Sequence, residues 1–242
     1  MTTLILGASG ATGRLLVKDQ LERGQKVKIV VRARASLPDS LLNHENLSVT
    51  EASLLDLSDD DLSRLVQGCS AVASCLGHNI SLKGLYGHPR RLVTDATRRI
   101  CAAIQRAAPE KPVKFVLMNT TGNRNRDLDE PISFGQKLIV GLLRHLLPPH
   151  ADNENAADYL RVTIGQNHPM IEWVAVRPDG LINASEVTDY TIHPSPTRSA
   201  IFDAGTTSRI NVAHFMSRLI TDPETWRARK GQMPVIYNQA SA

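Results

Sequence analysis

Three glycines stand at short, regular intervals close to the first residue, in the stretch LILGASGATGRLL at residues 4–16. Their spacing is that of a dinucleotide-binding fingerprint whose first interval has gained one residue. Glycines allow a tight turn and a close approach of the backbone to a ligand, and a helix that begins directly afterwards points free N–H groups at an anion. A glycine-rich turn without a ligand is the alternative. We expect a pyrophosphate to bind here, and the residues concerned are Gly7, Ala8, Ser9, Gly10, Ala11, Thr12 and Gly13.

A second chemical signal lies about 20 residues further on, where an acid that accepts from the ribose 2′-hydroxyl would favour NAD. The sequence there is VKIVVRARAS, and it contains no acid. Arg32 and Arg34 occupy the place instead. A charge-assisted hydrogen bond to a 2′-phosphate contributes about 1.5–3 kcal/mol, so these arginines predict NADP(H) as the cofactor. The alternative is that both are solvated loop residues.

The elements that must position these residues follow from the hydrophobic pattern. Short apolar runs alternate with amphipathic stretches, which is typical of a parallel sheet covered by helices on both faces. We predict strands over residues 3–6, 27–31, 47–51, 71–74, 114–118 and 172–176, helices over 12–23, 58–67, 92–106, 153–162 and 212–220, and a loop over 193–199. The pattern predicts an α/β fold with a Rossmann-type, doubly wound parallel sheet. Its ligand crevice should lie at the carboxyl ends of the strands.

Length and composition set the limits of this interpretation. A chain of 242 residues with 42% hydrophobic residues can form one α/β domain, and we expect a single domain over residues 1–242. Three cysteines without a Cys-x-x-Cys pair indicate neither a disulfide framework nor a zinc site. The N-terminus shows no targeting pattern, and no apolar stretch reaches about 18 residues. We therefore expect a cytoplasmic protein that is not bound to a membrane.

The charged residues do not indicate nucleic acid or metal as a ligand. A net charge of +4 is too small for a nucleic-acid-binding signature without clustering. We interpret the basic group as a solvated helix face, and its members are Arg90, Arg91, Arg98, Arg99 and Arg106. We interpret Asp127, Asp129 and Glu130 as solvated loop residues, so no metal site is expected.

Several motifs together resemble a known family. They are GASGATGR, VVR after the second strand, LLDLSD after the third, SCLG after the fourth, and VRPDGLI with TTSRINVAHFMSRLI late in the chain. This combination is similar to the atypical short-chain dehydrogenase/reductases, specifically the NAD(P)H-binding, NmrA-like branch. The resemblance implies an adenine contact at Asp56 and Leu57 and a ribose contact at Cys75, Leu76 and Gly77. It also implies that Thr120 and Thr121 lie near the nicotinamide ribose, and that Arg177, Pro178 and Gly180 form the turn beside the nicotinamide.

The residues available for proton transfer depart from the larger superfamily. Its ordinary members use a Tyr-x-x-x-Lys pair, in which the lysine lowers the pKa of the tyrosine, and this sequence contains no such pair. The nearest equivalent is His150 with Glu154, which share a helical face if the helix starts early. His150 is the candidate proton donor, with a surface histidine as the alternative. Thr120 and Thr121 could orient a substrate carbonyl, because a neutral threonine is a poor acid.

Two function classes explain these residues. The first is an NADP(H)-dependent oxidoreductase that transfers hydride to a small delocalised acceptor, flavin-like or quinone-like, since such acceptors need little help from a protein acid. The second is a redox-sensing regulator that binds NADP(H) without turnover and acts through a protein partner. Both classes use a nicotinamide cofactor, and a third possibility is that the fold binds another nucleotide, which Arg32 would also tolerate. The substrate side should comprise the inserts at 78–91 and 123–150 and the region 178–210. The apolar stretch 134–147 could be a lid, a dimer contact or a core helix, and oligomeric state is left open.

Overall fold

The computed structural model describes residues 1–78, 87–130, 135, 139, 141–142 and 147–239. The strands are β1 (Thr2–Leu6), β2 (Lys26–Val31), β3 (Leu47–Glu51), β4 (Ala71–Ser74), β5 (Val113–Met118), β6 (Ile171–Pro178), β7 (Gly180–Ile182), β8 (Tyr190–His193), β9 (Thr206–Ser208) and β10 (Val235–Asn238). The helices are α1 (Ala11–Glu22), α2 (Asp39–Leu42), α3 (Asp59–Val66), α4 (Leu92–Ala107), α5 (Pro148–Asp158), α6 (Arg209–Thr221) and α7 (Pro223–Arg229). A π-helical turn, Tyr159–Ile164, continues α5.

The central sheet has the order β3-β2-β1-β4-β5-β6-β10-β8, and β8 alone of the described strands in it runs antiparallel to its neighbour. The chain leaves β1 toward β2 on one side and later returns to β4 on the other. In doubly wound sheets a reversal of this kind marks the ligand crevice, which is expected here at the carboxyl ends of β1 and β4. The predicted Rossmann-type parallel sheet is confirmed.

Each face of the sheet has its own apolar layer. One layer packs the sheet against α3, α4 and α5, and the other packs it against α1, α6 and α7. In α1, Leu16, Val17 and Leu21 are buried on one side, and Gly24 follows the helix at φ +70°. In α3, the Ser58 hydroxyl accepts from the Asp61 N–H while the Asp61 carboxylate accepts from the Ser58 N–H.

The predicted elements differ from the structure mainly in the C-terminal third. Helix α5 begins at Pro148, five residues before the predicted start, because proline is well tolerated in the first turn, where its missing N–H has no partner to lose. His193 lies in β8 and not in a loop. Strands β7 to β10 have only three or four residues each, too few to show a clear alternation. In the described part of the chain, no helix is long and apolar enough to cross a membrane.

Candidate functional site

The glycine loop joins β1 to α1 at the crevice and is held in close contact with its surroundings. Gly7 has φ +73°, and a Cβ there would lie 2.5 Å from the Cys75 carbonyl oxygen at the end of β4. A Cβ at Gly13 would lie 2.1 Å from the Gly7 carbonyl oxygen. The first turn of α1 begins after Gly10 without a side-chain cap. The loop therefore needs glycine at residues 7 and 13, and it fits a phosphate held by backbone N–H groups.

The loop residues divide into a core side and a solvent side. Ala8 and Thr12 are buried, whereas Ser9, Gly10 and Ala11 are exposed. A ligand at the loop would therefore meet the Ser9 hydroxyl and the backbone of residues 9–11 first. The predicted contacts of the other loop residues stay predictions.

Arg32 and Arg34 follow β2 directly and are exposed. Neither guanidinium forms an ion pair with any residue that the structure describes. The Arg34 N–H donates to the Glu51 carboxylate at 3.3 Å, and Glu51 is the last residue of β3. Glu51 was not predicted, because the motif for the ribose concerns only the end of β2. The signal was that parallel neighbours end at the same edge, so that the last residue of β3 lies beside this segment.

The segment predicted to contact adenine is fixed by a residue outside the crevice motifs. Asp56 is exposed and Leu57 is half-buried after β3. The Arg99 guanidinium of α4 donates to the carbonyl oxygens of Leu55, at 2.6 Å, and Leu57. The interpretation of Arg99 as part of a solvated face was wrong, because the loop carbonyls and α3 satisfy it. Arg106 also bonds to α3, through Asp59 and Ser63.

Two of the three candidate catalytic side chains lie together at the end of β5. A Cβ at Gly122 would lie 3.3 Å from His150 Cε1 and 3.7 Å from Thr120 Oγ1, so both side chains border the same turn. His150 Nε2 is 3.8 Å from Glu154 Oε1, and both side chains are about nine-tenths buried. The early start of α5 places this pair on the helix, where the sequence analysis had expected it.

Thr121 faces a different part of the structure. Its hydroxyl donates to Asp179 Oδ1 at 3.1 Å, and its N–H donates to the Pro178 carbonyl oxygen. Asp179 also accepts from the Gly205 N–H at 2.8 Å. The only proton of the Thr121 hydroxyl is therefore engaged inside the protein, where it joins the ends of β5 and β6. Its predicted contact with a substrate remains a prediction that would require this bond to break.

Arg177 is fully buried and uses all five of its N–H donors. They reach the Met233 carbonyl, the Asn123 carbonyl, the Pro194 carbonyl and both oxygens of the Glu130 carboxylate. The side chain has no donor left for a cofactor, so any contact in this turn falls to its backbone and to Pro178. The interpretation of Glu130 as a solvated loop residue was wrong, because its side chain is 4% exposed and neutralises Arg177.

A second histidine, which sequence reasoning missed, lies at the end of β4. His78 Nε2 is 2.8 Å from Asp152 Oδ2, and the two side chains are 6% and 0% exposed. Asp152 also accepts from the N–H groups of Val93 and Thr94 in the first turn of α4. Burial opposes ionisation of this carboxyl, but the bonds from His78 and Thr94 outweigh it and hold the pKa of Asp152 below its ordinary value.

The cysteines at the sheet are free thiols. The Cys75 backbone contacts Gly7, while its Sγ lies 4.0 Å from Met216 Sδ. Burial raises the pKa of the Cys75 thiol to about 12, so that it stays protonated at neutral pH. No group of three or more His, Cys, Asp or Glu residues within the described ranges could hold a metal ion.

Comparisons with solved structures agree on the architecture. A wide-type short-chain dehydrogenase/reductase from Veillonella parvula, solved with NADP, is 17% identical and has a TM-score of 0.70 over 99% of this chain and 95% of that one. An anaerobilin reductase from Escherichia coli is 14% identical, with a TM-score of 0.70 over 100% and 99% of the two chains. A Streptococcus pneumoniae protein provisionally named NADH-flavin reductase is 16% identical, with a TM-score of 0.65 over 99% and 100%. These likenesses establish the fold.

Comparison at the sequence level identifies the family. A Synechocystis protein provisionally named dihydroflavonol 4-reductase is 34% identical over 113 residues. That match covers 45% of this chain and only 30% of the relative's own length. The model of the NAD(P)H-binding family matches residues 7–223, from the first glycine of the loop to the start of α7. The predicted NAD(P)H-binding family is thereby confirmed, and the chain belongs to it.

Proposed function

We propose that this protein is an NADP(H)-dependent oxidoreductase that transfers hydride to a small, delocalised acceptor. The observation that carries the proposal is the glycine loop. Helix α1 begins at this loop without a side-chain cap, so its first N–H groups are available to a ligand. The exposed Arg32 and Arg34 follow the end of the neighbouring strand, β2. This arrangement suits a dinucleotide with a 2′-phosphate.

Each part of the crevice would contact a different part of the cofactor. The backbone of the loop and the Ser9 hydroxyl would bind the pyrophosphate, and Arg32, with Arg34, would bind the 2′-phosphate. Asp56 and Leu57 would border the adenine, while Cys75, Leu76 and Gly77 would border the ribose. The turn at Pro178 would lie beside the nicotinamide. When bound, the cofactor supplies the hydride, and the protein supplies position and a dry pocket.

The acceptor class follows from the proton donors available. Without a Tyr-x-x-x-Lys pair, the chain offers Thr120 to orient the acceptor and the His150–Glu154 pair to provide a proton. A delocalised acceptor stabilises much of the charge that it gains, so it requires less from these residues than an aliphatic ketone does. The names of two structural neighbours, an anaerobilin reductase and an NADH-flavin reductase, support this class.

The test has a binding stage and a turnover stage. Calorimetric titration should show tighter binding of NADPH than of NADH, and Arg32→Asp should abolish the difference. Stopped-flow measurements should then show oxidation of bound NADPH by flavins or quinones and poor oxidation by aliphatic ketones. Equal affinities would contradict the cofactor assignment, and brisk ketone reduction would show that a stronger proton donor is present.

The regulator hypothesis is decided by the same measurements together with an assay of binding to a protein partner. If NADPH binds and no acceptor oxidises it, whereas the loaded and oxidised states differ in binding to a protein partner, the chain is a sensor.

We infer that the protein works in a reducing compartment such as the cytoplasm, since its cysteines are free thiols. We also infer that residues 1–242 act as one domain, with the substrate side formed by the inserts and residues 178–210.

A further inference from the structure

The carboxylate of Glu51 lies beside the segment to which the proposed function assigns the 2′-phosphate. Glu51 pairs in register with Val31, the residue immediately before Arg32. Its Oε2 accepts from the Arg34 N–H at 3.3 Å, and the side chain is exposed. A negatively charged carboxylate therefore already accepts from one backbone N–H of the arginine segment, residues 32–34.

We propose that Glu51 is a specificity-determining residue that opposes a 2′-phosphate and so narrows the preference for NADP(H) over NAD(H). The inference rests on the proposed function, because it concerns the same cofactor site. It assigns to β3 the acid that is absent from the end of β2.

The charge of Glu51 acts in opposite directions on the two cofactors. A 2′-phosphate bound by Arg32 and Arg34 would compete with Glu51 for the Arg34 N–H, and the two anions would repel each other at short range. The ribose of NAD(H) carries a 2′-hydroxyl instead, and a carboxylate at this place can accept a hydrogen bond from it. The same side chain thus disfavours one cofactor and favours the other.

The Glu51→Gln variant removes the negative charge of the side chain and keeps its hydrogen bond with the Arg34 N–H. The glutamine amide oxygen can still accept from the Arg34 N–H, so the segment keeps its anchor while the negative charge is lost. Glu45→Gln is the matched control. Glu45 is exposed and lies in the turn before β3, so the length of that strand, about 13 Å, separates it from Glu51, which is more than one Debye length at physiological salt.

The experiment is calorimetric titration of the wild type, Glu51→Gln, Glu45→Gln and Arg32→Ala with NADPH and NADH. Adenosine 2′,5′-bisphosphate and AMP serve as probes that isolate the ribose end of the site. Glu51→Gln should lower the Kd for NADPH and the bisphosphate by about three- to tenfold, and this gain should shrink at high salt. The Kd for NADH and AMP should stay the same or rise by about twofold. Glu45→Gln should change none of these values.

The outcomes distinguish the inference from the function on which it rests. An unchanged ratio of the NADPH and NADH affinities in Glu51→Gln would overturn the role of Glu51, even if Arg32→Ala lowers that ratio as the proposed function requires. A changed ratio in Glu51→Gln with none in Arg32→Ala would support Glu51 and contradict the assignment of Arg32. A wild-type protein that binds none of the four ligands would overturn both.

Discussion

At the residue scale, Gly13 controls whether the loop can close on its own helix. A Cβ there would lie 2.1 Å from the Gly7 carbonyl oxygen. Alanine normally stabilises a helix by about 1 kcal/mol relative to glycine, so a loss of stability at this position would reveal the close contact.

We therefore expect Gly13→Ala to lower the free energy of unfolding by about 1–3 kcal/mol and to weaken NADPH binding by roughly tenfold or more. Urea unfolding and calorimetry provide the two measurements. Gly10→Ala is the graded comparison, because its Cβ would lie 3.1 Å from the same oxygen and should cause a smaller loss. A stabilised Gly13→Ala variant with unchanged affinity would contradict the contact.

The Arg177–Glu130 pair gives a second prediction at this scale. Glu130→Gln leaves a fully buried guanidinium without its counter-charge, so we expect the free energy of unfolding to fall by about 3–5 kcal/mol. The matched control is Asp203→Asn in the exposed Arg198–Asp203 pair, which should leave the urea midpoint unchanged. Similar midpoints for Glu130→Gln and the control would show that the buried pair does not hold the substrate side together.

Which single residues were predictable depended on the range of their contacts. The glycines could be assigned because the strand, the loop and the helix are consecutive in the chain. The burial of Glu130 could not be predicted, because it depends on an ion pair with Arg177, which is 47 residues away in the sequence. The contact between His78 and Asp152 was not predicted for the same reason, since the two residues are 74 positions apart.

At the element scale, α5 connects three parts of the crevice. His150 borders the turn after β5, Asp152 holds His78 after β4, and the same carboxylate accepts from the first turn of α4. The Asn119 side chain, at the end of β5, donates to the Asn153 carbonyl oxygen. The helix thus fixes the ends of β4 and β5 relative to each other.

The lowered pKa of Asp152 predicts how this connection depends on pH. A carboxyl with a depressed folded-state pKa adds stability above its unfolded value near 3.8, and that stability is lost as the pH falls through the folded value. We expect Asp152→Asn to be less stable than the wild type at about pH 7 and to lose less stability on acidification to about pH 3.

Urea unfolding at both pH values, in high salt, tests this expectation. The control is Asp203→Asn, since the pKa of Asp203 is also lowered by the Arg198 hydrogen bond but the pair is exposed and screened by salt. If Asp152→Asn and the wild type lose equal stability on acidification, the bonds from the first turn of α4 to the Asp152 carboxylate are not the source of the pH dependence.

Elements were predictable where the apolar spacing is long and regular. Five of the six predicted strands carry a buried apolar run, whereas β3 has only the partly buried Leu47 and Val49, and α1 and α4 keep apolar residues on one face. The start of α5 was predicted at residue 153, five residues too late, although Pro148 and Pro149 suit a first helical turn. The short strands β7 to β10 could not be predicted, because they form by pairing with strands that are distant in the sequence.

At the scale of the whole molecule, the proposed cofactor should raise the stability of the entire fold, because a ligand that binds only the folded chain stabilises it. At a concentration of 100 times its Kd, NADPH should add about 2.7 kcal/mol, which corresponds to an increase in Tm of about 5–10 °C for a chain of this length. NADH at the same concentration should give a smaller increase.

Differential scanning calorimetry over a series of cofactor concentrations checks this prediction. Arg32→Ala is the control, and it should reduce the shift with NADPH toward that with NADH. Equal shifts for the two cofactors in the wild type would argue against a contribution from the 2′-phosphate. The doubly wound order itself was predictable from sequence, since a right-handed connection between parallel strands leaves few alternatives.

The five bonds of Arg177 also have a consequence for how the chain folds. They join Arg177 to residues 123, 130, 194 and 233, which are 17 to 56 positions away in the sequence. Such contacts can form only after long segments have closed, so they belong to the late part of the folding reaction. Weakening them should accelerate unfolding far more than it slows folding. The turns and loops that Arg177 joins are then the last part of the molecule to assemble and the first to come apart.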